Sequence, residues 1–167
     1  MGAVVRPLLP SCSREFGVTP NVAIPAFTNT GDLPAGVYRA SLAQTIAHFG
    51  LSSDRRKMLA GRLERIYRVA SQTGQLGRFV IFGSFVTTKD EPNDVDVFMI
   101  MSDNFDVGSL MAEPRLLFDH NAAQSHFGCS VFWIRRLAAI GGEQAAIGDW
   151  QVKRDGTERG IIEIIGE

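Results

Sequence analysis

Two short hydrophobic runs in the middle of the chain, separated by a polar loop that contains a proline, predict a pair of neighbouring strands. The first run occupies residues 79–82, and the second, which ends near residue 101, carries Asp94 and Asp96. Side chains on a strand alternate between its two faces, so carboxylates at positions i and i+2 point the same way. We therefore expect both acidic groups on one face of the second strand.

Stripes of apolar residues at helical spacing lie on both sides of these strands. Residues 41–49 predict a short helix, in which Ser41 and Gln44 form a capping-box pattern. A longer helix is predicted over residues 53–71, and a third over residues 113–128. The combination of runs and stripes indicates an α+β fold.

The C-terminal third of the chain adds further elements. Residues 129–134 predict a third strand, and residues 135–147 predict a helix or a broken helix that two adjacent glycines weaken. The final segment predicts a β-hairpin about Asp155-Gly156, a favourable two-residue turn.

The first 36 residues contain five of the seven prolines and show no sustained periodicity. Proline prevents regular helix and favours extended chain. We expect disorder up to about residue 20 and an ordered, irregular arm after it. The predicted division is therefore a proline-rich arm over residues 1–36 and a single domain over residues 37–167.

Composition and charge limit the functions that the chain can have. Hydrophobic residues make up 45% of the chain and charged residues 21%, as in an ordinary globular protein. The formal net charge of −1 provides no global basic field, which argues against a dedicated nucleic-acid binder. Residues 53–71 do carry basic side chains, which we interpret as a solvated helix face: Arg55, Arg56, Lys57, Arg62, Arg65 and Arg68.

The two cysteines and the hydropathy pattern indicate an intracellular protein. Cys12 and Cys129 lie far apart and suggest neither a disulfide framework nor a zinc site, and Cys129 is interpreted as a small core residue. No segment approaches the roughly 18 apolar residues that a membrane span needs. The first residues lack the architecture of a signal peptide, so we expect a cytoplasmic protein.

Asp94 and Asp96 are the candidate metal ligands. Two like charges on one strand face repel each other, and a cation between them relieves that repulsion. Mg²⁺ prefers oxygen ligands and commonly uses one or two protein carboxylates together with substrate phosphates. Gly83 and Ser84 are candidate phosphate contacts, because glycine permits close backbone approach and the serine hydroxyl can donate. Alternatively, Gly83-Ser84 is an ordinary turn, and residues 92–94 form an Asx-type turn.

The motif resembles a known signature. A hydrophobic strand, Gly-Ser, nine intervening residues and Asp-x-Asp within a second hydrophobic strand are similar to the pattern of the nucleotidyltransferase superfamily with the polymerase-beta-like palm fold. More narrowly, four segments resemble a group of small, mostly uncharacterised bacterial proteins in that superfamily: residues 33–42, 82–98, 127–133 and 155–164. The resemblance implies a small mixed β-sheet flanked by helices.

The resemblance also implies a reaction. Enzymes of the superfamily hold two metal ions with three carboxylates and transfer a nucleotidyl group from a nucleoside triphosphate to a hydroxyl; one metal activates the hydroxyl and the other orients the triphosphate. By position, Asp94 and Asp96 match two of the carboxylates, and Gly83 and Ser84 match the phosphate-binding turn. Lys89 is a further candidate phosphate contact, although an exposed loop lysine is more often just solvated. In the small bacterial relatives the acceptor is often a toxin partner, and the transferase acts as its antitoxin.

Two positions depart from the superfamily pattern. Ser130 stands where the third carboxylate is expected, and a hydroxyl is a weak substitute for an anionic ligand. Asp119 and Glu163 are conceivable but remote substitutes. Val86-Thr87 stands where related antitoxin-type transferases tend to have Arg-Gly, which removes a charge that could hold a triphosphate.

Three hypotheses follow from these features. The first is a Mg²⁺-dependent nucleotidyltransferase acting on a protein or another acceptor, supported by Gly83, Ser84, Asp94 and Asp96. The second is a non-catalytic module that binds a nucleotide or a protein partner, supported by Ser130. The third, nucleic-acid end processing, is disfavoured by the near-zero charge and the small size.

Overall fold

A five-stranded mixed β-sheet forms the frame of the computed structural model, which describes residues 23–166. The strands are β1 (Gly36–Ala40), β2 (Leu76–Phe82), β3 (Asp96–Met101), β4 (Ser130–Arg135) and β5 (Gly160–Ile164). Their order across the sheet is β1-β5-β2-β3-β4. β1 and β5 are parallel, as are β3 and β4, whereas β2 is antiparallel to both β3 and β5. The predicted α+β class is confirmed.

Five α-helices surround the sheet in the described part of the chain. They are α1 (Leu42–Phe49), α2 (Asp54–Gln72), α3 (Glu113–Leu117), α4 (His120–Phe127) and α5 (Glu143–Gly148). The Ser41 capping box at α1 is confirmed, because the Ser41 side chain accepts from the backbone of Gln44 and the Gln44 side chain accepts from the backbone of Ser41. The single helix predicted over residues 113–128 is wrong: Asp119 caps a new helix, α4, and divides the segment.

The two faces of the sheet differ in what covers them. Val97 and Met99 of β3 belong to a core cluster that α1 to α4 complete. Phe98 and Ile100, which alternate with them, belong to a smaller cluster with Trp150 and Ile147 of α5. Because alternate residues share a face, Asp96 at the start of β3 lies on the face of this smaller cluster.

The C-terminal hairpin differs from its prediction. The turn about Asp155-Gly156 forms, with Gly156 at φ +82°, but its ladder is a single bridge between Val152 and Glu158. The chain then continues into β5, which lies inside the sheet between β1 and β2. Strand β1 has no counterpart in the prediction, because β5, its strand partner in the described part of the chain, is more than a hundred residues away in the sequence.

The N-terminal arm is only partly described. The disorder predicted up to about residue 20 lies outside the described residues. Residues 23–35 contain a turn but neither helix nor strand, and Leu33 is buried. Within residues 23–166, no helix has the length and apolar character that crossing a membrane requires.

The interpretation of Arg55 and Arg56 as part of a solvated face is wrong. Arg56 is only 4% exposed and donates to four backbone carbonyls, those of Phe49, Phe85, Thr87 and Lys89, at 2.6–2.9 Å. Burial lowers the pKa of its guanidinium, while the nearby carboxylates of Asp90 and Glu91 act in the opposite direction.

Arg55 extends this arrangement along the same loop. Its Nε donates to the carbonyl of Pro92 at 2.9 Å, and its Nη2 donates to the carbonyl of Asn93. The loop between β2 and β3 has little regular structure, so its carbonyls need such partners. The first turn of α2 therefore fixes that loop.

Arg56→Met should destabilise the fold by at least about 3 kcal/mol, because several buried carbonyls would lose their donors together. The matched control is Arg68→Met on the exposed side of α2, which should change the free energy of unfolding by less than about 0.5 kcal/mol. Urea unfolding of both variants measures the difference. Equal effects of the two substitutions would contradict the role given to Arg56.

Candidate functional site

Gly83 directly follows β2 and has a backbone conformation that other residues adopt at a high cost. Its φ is +78° and its ψ is −163°, a region populated almost only by glycine. A Cβ atom at this position would lie 1.8 Å from Oδ2 of Asp96 and 2.7 Å from its Cγ. The Asp96 carboxylate therefore lies directly against the backbone of Gly83, and a short 3-10 turn, Ser84–Val86, follows.

Asp94 and Asp96 lie at the entrance to β3. Asp96 is the first residue of the strand and Asp94 precedes it, so the expectation that both lie within the strand is wrong for Asp94. Ser130 of β4 pairs with Asp96 in the parallel register, and its hydroxyl donates to Oδ2 of Asp94 at 2.8 Å. The serine thus occupies the position beside the two carboxylates that the sequence pattern predicts for it.

The electrostatics of Asp96 favour a bound cation. Burial raises the pKa of Asp96 to about 6, and the neighbouring charge of Asp94 acts in the same direction, whereas Arg159 and Arg154 act to lower it. Burial and the second carboxylate both disfavour the ionised form of Asp96. A cation placed between the carboxylates of Asp94 and Asp96 would stabilise that form.

The remote substitutes for a third carboxylate are engaged elsewhere. Asp119 accepts from the backbone N–H of Ala122 as the cap of α4. Glu163 is buried in β5, where it accepts from Arg39 and Arg78. Among residues 23–166, no three His, Cys, Asp or Glu side chains are grouped so that they could hold a metal ion. Asp94 and Asp96 could therefore supply two carboxylate ligands without a third.

One cleft brings most of the predicted site residues together. It has a volume of about 620 Å³, and its lining includes Gly83, Ser84, Lys89 and Asp96. Asp94 lies beside the cleft rather than in its lining, held by Ser130. Lys89 is exposed and its own carbonyl is held by Arg56, so the loop that carries it is anchored.

Aromatic residues line part of the cleft, and the sequence did not predict them as site residues. Phe82, Phe132 and Trp150 line it, and the ring centroid of Trp150 lies 4.4 Å from that of Phe82 and 5.0 Å from that of Phe132. The strand pattern placed Phe82 and Phe132 on strands without indicating a shared face. Trp150, which follows α5, had no sequence signal that connected it to the motif.

Basic residues of the C-terminal hairpin line the same cleft and were also missed. These are Lys153, Arg154 and Arg159. Lys153 is paired with Asp32 of the arm at 2.9 Å, whereas Arg154 and Arg159 form no ion pair within residues 23–166. The signal in the sequence is the basic segment KRDGTER around the predicted turn, whose local pattern indicates only a hairpin.

Cys129 does not contribute to this chemistry. It is fully buried, and burial raises the pKa of its thiol to about 12, so it stays protonated at neutral pH. Its predicted role as a core residue is confirmed.

Gly83→Ala should cost substantially more stability than Gly74→Ala, which serves as a matched control. Gly74 also has a positive φ, but no atom lies within 4 Å of the point that a Cβ would occupy, so only backbone strain of about 1–2 kcal/mol is expected there. At Gly83 the contact with Asp96 adds to that strain. Urea unfolding measures both variants, Asp96→Ala, and Gly83→Ala combined with Asp96→Ala. Gly83→Ala should cost less stability when Asp96 is alanine, and an equal cost in the two backgrounds would contradict the contact with Asp96.

The stability of the metal-free protein should depend on the ionisation of Asp96. Because the folded pKa of about 6 lies above the value near 4 expected for unfolded chains, the contribution of Asp96 is fully present below about pH 4 and is lost as the pH rises through 6. Asp96→Asn should therefore gain free energy of unfolding relative to the wild type as the pH rises from 4 to 7. Denaturant unfolding in EDTA across this range tests it, and a difference that is constant with pH would refute the assignment.

Comparisons with known proteins place the chain in a family without giving it a function. No curated protein matches the chain, and no solved structure matches it. The model of DUF6932, a family of unknown function, matches residues 25–165. Because this match covers most of the sequence, the chain belongs to the DUF6932 family.

Proposed function

We propose that this protein has a nucleotidyltransferase-like fold, binds a Mg²⁺–nucleoside triphosphate in the cleft and transfers its nucleoside monophosphate to a hydroxyl of a protein or another acceptor. The observation that supports this most is the meeting of the Gly83-Ser84 turn with Asp96 in a single cleft, with Asp94 beside it. A turn that can bind phosphate, next to two carboxylates that can bind a cation, is suited to the transfer of a phosphoryl or nucleotidyl group.

Asp94 and Asp96 are the residues that would hold Mg²⁺. Their mutual repulsion and the burial of Asp96 fit a cation, and Ser130 orients Asp94 by donating to one of its two oxygens. Bound Mg²⁺ would polarise the phosphoryl oxygens and neutralise the charge of the leaving pyrophosphate.

Ser84 and Lys89 would contact the phosphates. No hydrogen bond from another described residue engages the Ser84 hydroxyl, and Gly83 allows the adjacent backbone to approach a phosphate closely. In the transfer, the acceptor oxygen bonds to the α-phosphorus, the bond to pyrophosphate breaks, and the acceptor hydroxyl releases its proton. A toxin protein is the acceptor that the resemblance suggests.

A second candidate function is supported by Ser130. The resemblance expects a third carboxylate at this position, and the Ser130 hydroxyl donates to Asp94 instead of offering a negative charge. A protein with this site could bind one Mg²⁺–nucleotide and act as a nucleotide- or partner-binding module without turnover.

ATP, GTP, CTP or UTP with Mg²⁺ should stabilise the wild-type protein, by about 2.7 kcal/mol when the ligand is present at a hundred times its Kd. Asp94→Asn combined with Asp96→Asn should abolish this Mg²⁺-dependent gain. Asp119→Asn is the matched control, because asparagine also caps a helix and the substitution removes a carboxylate outside the cleft. Thermal unfolding with each nucleotide measures the effect, and no Mg²⁺-dependent stabilisation with any of the four would overturn the proposal.

Transfer is measured separately from binding. Nucleoside triphosphate labelled at the α-phosphate is incubated with the protein, Mg²⁺ and a bacterial extract that supplies acceptors. Label that enters a macromolecule with the wild type, and at least about a hundredfold less with the double Asp→Asn variant, is the expected result for the enzyme. Binding without incorporation would favour the binding module.

A further inference from the structure

We propose that the C-terminal hairpin and the preceding turn, residues 150–159, form the wall that holds the nucleotide: Arg154 and Arg159 bind the triphosphate, and Trp150 with Phe132 carries the base. This inference rests on the proposed function and specifies how its substrate is recognised. We call residues 150–159 the nucleotide wall.

The charge of the cleft supports an anionic ligand. Although the whole chain has a formal net charge of −1, the cleft lining contains four cationic side chains and two carboxylates, those of Asp96 and Asp155. Asp155 is occupied by hydrogen bonds from Thr157 of its own turn. Lys153 is paired with Asp32, whereas Lys89, Arg154 and Arg159 form no ion pair within residues 23–166. These three cations are available to a polyanion such as a triphosphate.

Arg159 provides the most specific of these charges. Its Nε is buried and has no hydrogen-bond partner, although buried guanidinium nitrogens ordinarily have one. The side chain lines the cleft and forms no ion pair within residues 23–166. Arg154 is exposed on the same wall and is likewise unpaired there. Two guanidinium groups suit phosphate oxygens, which they can bind with two parallel hydrogen bonds.

The nucleotide wall is held in place before any ligand binds. The N–H of Arg159 donates to the carbonyl of Gln151 at 2.9 Å, and the N–H of Lys153 donates to the carbonyl of Thr157 at 2.8 Å. The ion pair between Lys153 and Asp32 attaches the wall to the arm. Little ordering entropy would therefore be lost when a ligand binds.

The wall also lies at the correct place relative to the carboxylates. Arg154 and Arg159 line the same cleft as Asp96, so their charges border the space that this carboxylate borders. A triphosphate could contact both a cation bound to the carboxylates and the two guanidinium groups while lying in this cleft. The motif loop contributes one cation to the cleft, Lys89, so most of the charge for the triphosphate comes from the wall.

The aromatic residues give the wall a surface for a base. Phe132 is 36% exposed, and its ring lies 5.0 Å from that of Trp150, which also packs on Phe82. Aromatic faces bind every base by stacking and discriminate weakly among them. We therefore expect affinities for ATP, GTP, CTP and UTP to lie within about tenfold of one another, with the larger purines favoured.

The test uses the full chain with Mg²⁺ and compares Arg154→Gln and Arg159→Gln with the control Arg68→Gln, which removes the same charge from an exposed position on α2. Calorimetry gives the Kd of ATP and AMP for each variant. Each wall substitution should weaken ATP binding by about tenfold or more while changing AMP binding by less than about twofold, and the control should change neither. A purely structural role of the arginines would weaken ATP and AMP binding equally.

The base contact is tested by tryptophan fluorescence in a Trp133→Phe background, in which Trp150 is the remaining tryptophan. ATP should quench the emission, whereas inorganic tripolyphosphate should compete with ATP without quenching. If the wild type binds ATP and the wall substitutions leave its Kd unchanged, the nucleotide wall is refuted and the proposed function stands. If the wild type binds none of the four nucleotides, the proposed function itself fails.

Discussion

The interaction on which the site depends is the hydrogen bonding of two arginines in the first turn of α2 to the loop between β2 and β3. Arg56 and Arg55 together donate to five backbone carbonyls of residues 85–93, and Arg56 also donates to Phe49 at the end of α1. Because that loop makes few regular backbone hydrogen bonds of its own, these donors define its course. The loop in turn places Ser84 and Lys89 in the cleft and leads the chain to Asp94 and Asp96. A buried positive charge is thus used to shape a backbone rather than to neutralise a carboxylate.

The elements that could be predicted from the sequence are those determined by residues close to one another in the chain. The capping box of α1, the two motif strands and the Gly83-Ser84 turn after β2 depend on residues within a few positions of one another. The sequence did not predict features that depend on distant residues. Strand β1 pairs with β5, which is distant in the sequence, and Arg56 is buried because the motif loop covers it. Trp150 and the basic residues Lys153, Arg154 and Arg159 reach the cleft from a segment about sixty residues after the motif. No local pattern distinguishes a buried arginine from a solvated one at the start of a basic helix.

The groups around Asp96 are suited to binding a Mg²⁺–nucleoside triphosphate and to transferring its nucleoside monophosphate. Gly83 permits the carboxylate of Asp96 to lie against the turn, and burial together with Asp94 disfavours its ionised form unless a cation is bound. Arg154 and Arg159 of the hairpin line the same cleft. Ser130 is the feature that separates the two candidate functions, since it orients one carboxylate without adding a charge. For a member of a family of unknown function, this arrangement directs the search for a ligand and a reaction to one cleft.

The most direct test is a crystal structure of the full chain with Mn²⁺ and a non-hydrolysable nucleoside triphosphate, because Mn²⁺ replaces Mg²⁺ at oxygen-ligand sites and can be located by its anomalous signal. The account predicts an anomalous peak in contact with the carboxylates of Asp94 and Asp96, with the triphosphate extending from it along Ser84 towards the hairpin arginines. A Mn²⁺ peak and a nucleotide bound elsewhere on the molecule, or a cleft that stays free of both at saturating concentrations, would contradict it.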